Sequence, residues 1–134
     1  MSADGLTTAR SQFGPKETMD RLEAEVRARG MTVFAHIDHA AGASEVGMSL
    51  RPTDLLIFGA AKGGTPLMQS AQTIGIDLPL KALVWQDEAG ATFVSYNDLA
   101  FLVRRHAVGP EPAPAVEGMS NALKAIVTKA TTPP

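Results

Sequence analysis

The sequence predicts one α+β domain: a largely antiparallel sheet with helices packed on it, and an extra helix at the C-terminus. Three observations carry this. Strand-like and helix-like segments follow one another in the order β-α-β-β-α-β-β-α. The later connections are short and turn-rich, as hairpins require. A length of 134 residues is enough for one buried core but not for two ordinary domains. The domain is assigned to residues 1–108, and residues 109–134 to a proline-rich linker and an amphipathic helix.

Leu6 to Phe13 reads as the first strand, closed by Gly14-Pro15, where the proline suits a helix start because its missing N–H is not needed there. From Glu17 to Arg29, Met19, Leu22 and Val26 recur at helical spacing, with acids early and arginines late to suit the helix dipole, and Gly30 ends the run. The stripe is core rather than a ligand box. Thr32 to Ile37 and Leu55 to Gly59 are rich enough in β-branched and apolar residues to be strands, with a long loop and a helical turn over Ala40 to Ala43 between them. Leu67, Met68, Ala71 and Ile74 share one face of a short helix spanning Thr65 to Ile74. Leu80 to Gln86 and Ala91 to Tyr96 form a hairpin through Asp87-Glu88-Ala89-Gly90, whose glycine supplies the left-handed turn residue. Asn97 or Asp98 caps a helix from Leu99 to His106. After the linker Gly109 to Pro114, Val116, Met119, Leu123, Ile126 and Val127 mark the last helix, and Thr131 to Pro134 are expected to fray.

The absence of cysteine removes disulfides, thiolate catalysis and cysteine zinc sites. A net charge of −2 with scattered lysines and arginines offers no electrostatic footprint for nucleic acid. No apolar run reaches the roughly 20 residues of a membrane span, and the first residues lack a secretory pattern, so membrane insertion is not expected and the expected location is cytoplasmic. No GxSxG elbow surrounds Ser49, Ser70 or Ser95, and Asp87-Glu88 in a solvated turn makes a poor acid–base pair. No catalytic residue and no cofactor is assigned.

The glycine-rich segment Gly59-Ala60-Ala61-Lys62-Gly63-Gly64-Thr65 holds the most chemistry, because it joins a strand to a helix start. Its converging N–H groups, with Lys62 and the Thr65 hydroxyl, suit an anion. The simpler alternative is a structural turn in which Thr65 caps the helix and Pro66 takes its first position. His36 and His39, three apart at a strand end, point to opposite faces and lack a third local ligand, so no metal site is assigned. Asp38 is read as an acceptor of backbone hydrogen bonds in its loop. His106 is read as a partner of its helix dipole, and Trp85 and Tyr96 as packed aromatics with tied polar tips.

Several motifs together resemble one family. Thr18-Met19-Asp20-Arg21-Leu22, Val33-Phe34-Ala35-His36-Ile37-Asp38-His39, Leu50-Arg51-Pro52-Thr53-Asp54-Leu55, Gly64-Thr65-Pro66-Leu67-Met68, Leu78-Pro79-Leu80-Lys81 and Ser95-Tyr96-Asn97-Asp98 are similar, in this order, to the domain of unknown function 302 family. The resemblance spans about Phe13 to His106. It implies a small α+β fold of the TATA-binding-protein-like type, often dimeric, with no established activity. This chain departs from the family in having Ala60-Ala61 where Asn-Pro is usual, and His36 where Arg or Lys is usual.

The resemblance and the meander-like order imply that the third and fifth strands run the same way. That would gather Gly59 to Lys62 and Tyr96 to Asp98 at one end of the sheet and leave Asp38-His39 at the other. The resulting expectation is a small-ligand or anion site formed by Lys62, Gly63, Gly64, Thr65 and Tyr96, in a homodimer, with Leu67, Met68 or Tyr96 contacting the apolar body of the ligand. Two alternatives stand beside it: a homodimeric interaction module without ligand, and an enzyme whose chemistry the motifs do not disclose.

Overall fold

The computed structural model describes residues 3–134. In chain order the elements are β1 (Leu6–Ser11), α1 (Pro15–Ala28), β2 (Thr32–Asp38), α2 (His39–Glu45), β3 (Thr53–Gly59), α3 (Ala61–Ser70), a 3₁₀ turn (Gln72–Ile76), β4 (Leu80–Gln86), β5 (Thr92–Asn97), α4 (Leu99–Arg105) and α5 (Ala113–Thr131). The strands form one sheet in the order β1-β5-β4-β3-β2, and every neighbouring pair is antiparallel. The α+β architecture therefore stands as the sequence predicts. Because β3 and β5 flank β4, they run the same way, so Gly59 and Asn97 lie at one end of the sheet and Asp38 at the opposite end.

Alternation along β4 sets the two faces. Leu80, Ala82 and Val84 are buried towards the helices, while Lys81, Leu83 and Trp85 face away and are only partly covered. The core lies between that helix-facing side and Met19, Leu22 and Val26 of α1, Leu67 of α3, and Leu123, Ile126 and Val127 of α5. The stripe at 19, 22 and 26 is thus core. Helix α5 spends its apolar face on its own chain, chiefly against α1, rather than leaving it free. Thr131 does not fray: it is buried inside α5, and its carbonyl accepts a 2.9 Å bond from Gln12 N–H.

Three local readings need correction. The turn expected at Ala40 to Ala43 extends into a helix from His39, capped by Asp38, whose carboxylate accepts from Ala41 N–H at 2.9 Å. The helix expected over Thr65 to Ile74 begins earlier, at Ala61, and breaks after Ser70 into the 3₁₀ turn. Thr65 is accordingly not its cap, and Pro66 sits inside it rather than at its first position. Pro66 has no N–H to offer the Lys62 carbonyl, so the helix runs through it with one backbone bond missing near its start.

Candidate functional site

At the glycine-rich junction, β3 ends at Gly59, Ala60 is the extended N-cap and Lys62, Gly63 and Gly64 are in the first turn of α3. The Ala60 carbonyl accepts from Gly63 N–H at 3.0 Å and from Gly64 N–H at 3.2 Å. That leaves the N–H groups of Ala61 and Lys62 without a backbone acceptor among the described residues. The backbone donors offered to a ligand are therefore one residue earlier than the glycines. Glycine contributes space instead. A Cβ on Gly63 would lie 3.0 Å from the Met119 sulfur, and one on Gly64 would lie 3.4 Å from Leu78.

Two apolar cavities, both broadly open to solvent, flank this helix start. One, of about 210 Å³, reaches Phe34, Gly64, Met68 and Leu78. The other, of about 340 Å³, reaches Met31, Lys62, Gly63 and Gly118. Ala60, Leu80 and Met119 line both. Lys62 is exposed at the second cavity and is the only ionisable residue on either wall.

Of the five expected site residues, Lys62, Gly63 and Gly64 are brought together here. Thr65 points out from α3 into solvent. Tyr96 reaches the same end of the sheet but lines a different hollow, with Thr7, Asp98, Arg104 and Lys124. Burial pushes its phenol pKa up, the Asp98 charge adds to this, and the neighbouring Thr7 hydroxyl opposes it. The Asp98 carboxylate accepts from the Thr7 hydroxyl instead of capping α4 through its side chain. Among the apolar contacts expected for a ligand, Met68 lines a cavity, whereas Leu67 is wholly in the core. Sequence reasoning missed Met119, Met31 and Phe34. Met119 was legible only as one member of an amphipathic stripe, and nothing local placed it against residues 59–64.

A second polar cluster lies elsewhere. His106 Nε2 and the Asp77 carboxylate are 2.6 Å apart, His106 Nδ1 and the Thr73 hydroxyl 2.9 Å, and Arg105 donates to both Asp77 oxygens at 3.0 and 2.8 Å. Burial pushes the Asp77 carboxyl upward, but the His106 hydrogen bond and the Arg105 charge outweigh it and hold its pKa below the ordinary value. His106 thus does more than meet its helix dipole. At the far edge of the sheet, His36 Nε2 lies 3.0 Å from Asp54, and no cluster of three metal-ligating side chains occurs among the described residues. On the uncovered face, Trp85 stacks on Phe93 at 4.8 Å and donates to the Ser95 hydroxyl at 2.9 Å.

The sequence profile of the Domain of unknown function DUF302 matches residues 7–126, nearly the whole chain and most of α5. The chain belongs to the DUF302 family. The fold of this DUF302 domain is similar to the crystal structure of an uncharacterised conserved DUF302 protein from Bacillus stearothermophilus. The TM-score is 0.83 at 21% identity, over 96% of this chain and 99% of that one. Closer in sequence, the chain is 44% identical over 115 residues to a protein of Brucella suis biovar 1 named fluoride-specific ion channel FluC 1, covering 86% of this chain and 45% of that protein. The same identity and length of match relate it to fluoride-specific ion channel FluC 2 of Brucella melitensis biotype 1, of which it covers 43%. The DUF302 domain therefore spans less than half the length of these relatives. None of its described helices is long and apolar enough to cross a membrane.

Proposed function

We propose that this DUF302 domain binds a small organic ligand at the junction of β3 and α3, with the polar end at Lys62 and the apolar body in the adjoining cavities. The observation that carries this is the pair of carbon-lined cavities meeting at a helix start with two unused N–H groups and one lysine. Helix-start donors favour negative charge by about 0.3–1 kcal/mol, too little to hold an inorganic anion, so most of the affinity must come from the apolar walls. The test is a thermal-shift screen of metabolites. A ligand at one hundred times its dissociation constant stabilises the native state by about 2.7 kcal/mol, and Lys62→Ala should reduce that shift. A screen in which no organic anion shifts the transition would end this reading.

The Brucella relatives favour a setting for such binding. In them a segment like this chain accompanies a larger remainder in a protein named as a fluoride channel, and we read the domain as an accessory module to fluoride handling. Fluoride itself is a poor match for the cavities, since so strongly hydrated an ion needs more donors than two N–H groups and an ammonium. Deleting the domain from a host that carries it should lower fluoride tolerance, and unchanged growth in fluoride would contradict the link.

The chain is also read as a homodimer. Since α5 is used within its own chain, the surface left for self-association is the uncovered sheet face around Leu55, Leu83, Trp85 and Phe93, continued by the exposed Ile37. A stable dimer typically buries about 800 Å² per partner, and this partly covered apolar face is the surface offered for it. Light scattering that gives a monomer mass at micromolar concentration would refute it.

A further inference from the structure

Resting on the binding reading above, we infer that Met119 is a movable wall between the two cavities and that the ligand is an amphiphile with an unbranched alkyl chain, a straight-chain carboxylic acid in the first instance.

The cavities, at about 210 and 340 Å³, lie below and at the lower edge of the roughly 300–1,000 Å³ typical of small-molecule sites. They share Met119, and opening that wall would join them into a space within the range. Methionine suits this role because its side chain is unbranched, rotates about three bonds and repacks readily. Its sulfur occupies the room left by Gly63, where a Cβ would stand 3.0 Å away, while Met68 forms the other flexible wall beside Gly64 and Gly75.

The second cavity is kept open by small residues on one side of α5: Ala115, Gly118 and Ala122. Gly118 is informative. A Cβ there would meet nothing within 4 Å, so no internal contact demands a glycine in the middle of this helix. Gly118 is exposed on the wall of this cavity, so a larger side chain there would take up part of its space. The walls carry carbon, sulfur and backbone, with Lys62 as their only ionisable group, so the ligand should be apolar along its length and charged at one end. An unbranched alkyl chain can bend to follow the walls of both cavities past a displaced methionine, whereas a rigid ring system cannot.

Calorimetric titration of the full chain with the straight-chain carboxylates from butyrate to myristate, and with the matching primary alcohols, tests this. Each added methylene should tighten binding by about fourfold until both cavities are filled. Acids should bind several-fold more tightly than alcohols, a preference that Lys62→Gln should erase. Gly118→Leu should abolish the gain beyond the shorter chains while leaving those bound; Gly118→Ala, which a helix accepts readily, should show the same truncation more weakly. Met119→Ala should admit branched acids that the parent rejects. If acids bind but affinity does not grow with chain length, or aromatic acids bind best, this inference fails and the site reading survives. If neither acids nor alcohols bind at any length, this inference fails, and the site reading then stands or falls on the metabolite screen.

Discussion

The Asp77 cluster and the glycine-rich junction lie on either side of α3 and the turn that follows it, and they treat their polar groups in opposite ways. Around Asp77 every group is spoken for: the carboxylate takes His106 and Arg105, the other imidazole nitrogen meets Thr73, and Lys81 donates to the carbonyls of Asp77 and Pro79. At the junction, backbone donors are left over, glycines let Met119 and Leu78 approach the helix closely, and apolar space is unfilled. A cluster that satisfies itself serves the fold. Donors and volume held in reserve beside one lysine are what a ligand requires.

The sharpest way to break this contrast is Asp77→Ala. Losing hydrogen bonds to charged partners should cost about 2 kcal/mol, or roughly 8 °C in Tm at this chain length, measured by thermal melting, with ligand affinity unchanged. Lost binding at full stability would mean that the cluster had been misread and belongs to the site.

The pH dependence gives a related expectation. Asp77 has a pKa lowered by folding, so its contribution is complete above the unfolded value, about 4, and is lost as pH falls through the folded value. In Asp77→Asn, denaturant midpoints should fall less steeply below about pH 4 than in the parent.

Gly118→Ala turns the comparison round. The substitution removes a mid-helix glycine with no steric conflict, so it should stabilise the chain by about 0.5–1 kcal/mol in a denaturant titration while weakening the ligand. A stability gain without any loss of binding would show that the space beside it is idle.

Glu88→Ala should change least. Its pairing with Arg51 is 3.9 Å long and highly exposed, so both stability, within about 0.5 kcal/mol, and binding should match the parent.

The reach of sequence reasoning followed the range of the interactions involved. The Asp87 to Gly90 turn was legible because it is made within a few residues: the Asp87 carboxylate accepts from Ala89 and Ala91 N–H at 3.0 and 2.9 Å, and Gly90 has φ 84°. Asp38 was legible as a loop acceptor for the same reason. The start of α3 was misplaced because Thr65-Pro66 is a strong local signal for a helix N-terminus, and packing of the first turn against Met119 and Leu78 outweighed it.

Periodicity, turn chemistry and length thus settled the strands, the main helices and the antiparallel class, since these depend on neighbours along the chain. Tyr96 shows where that stops. Its strand terminates at the expected end of the sheet, yet its position across from Ala82 and beside Thr7 turns it towards a different hollow from Lys62. The pairing of His106 with Asp77, and of Met119 with Gly63, likewise joins residues far apart in the chain. Such contacts are chosen by the packing of whole elements, where each partner fits only because the sheet has already brought the other within reach, and no local pattern records that choice.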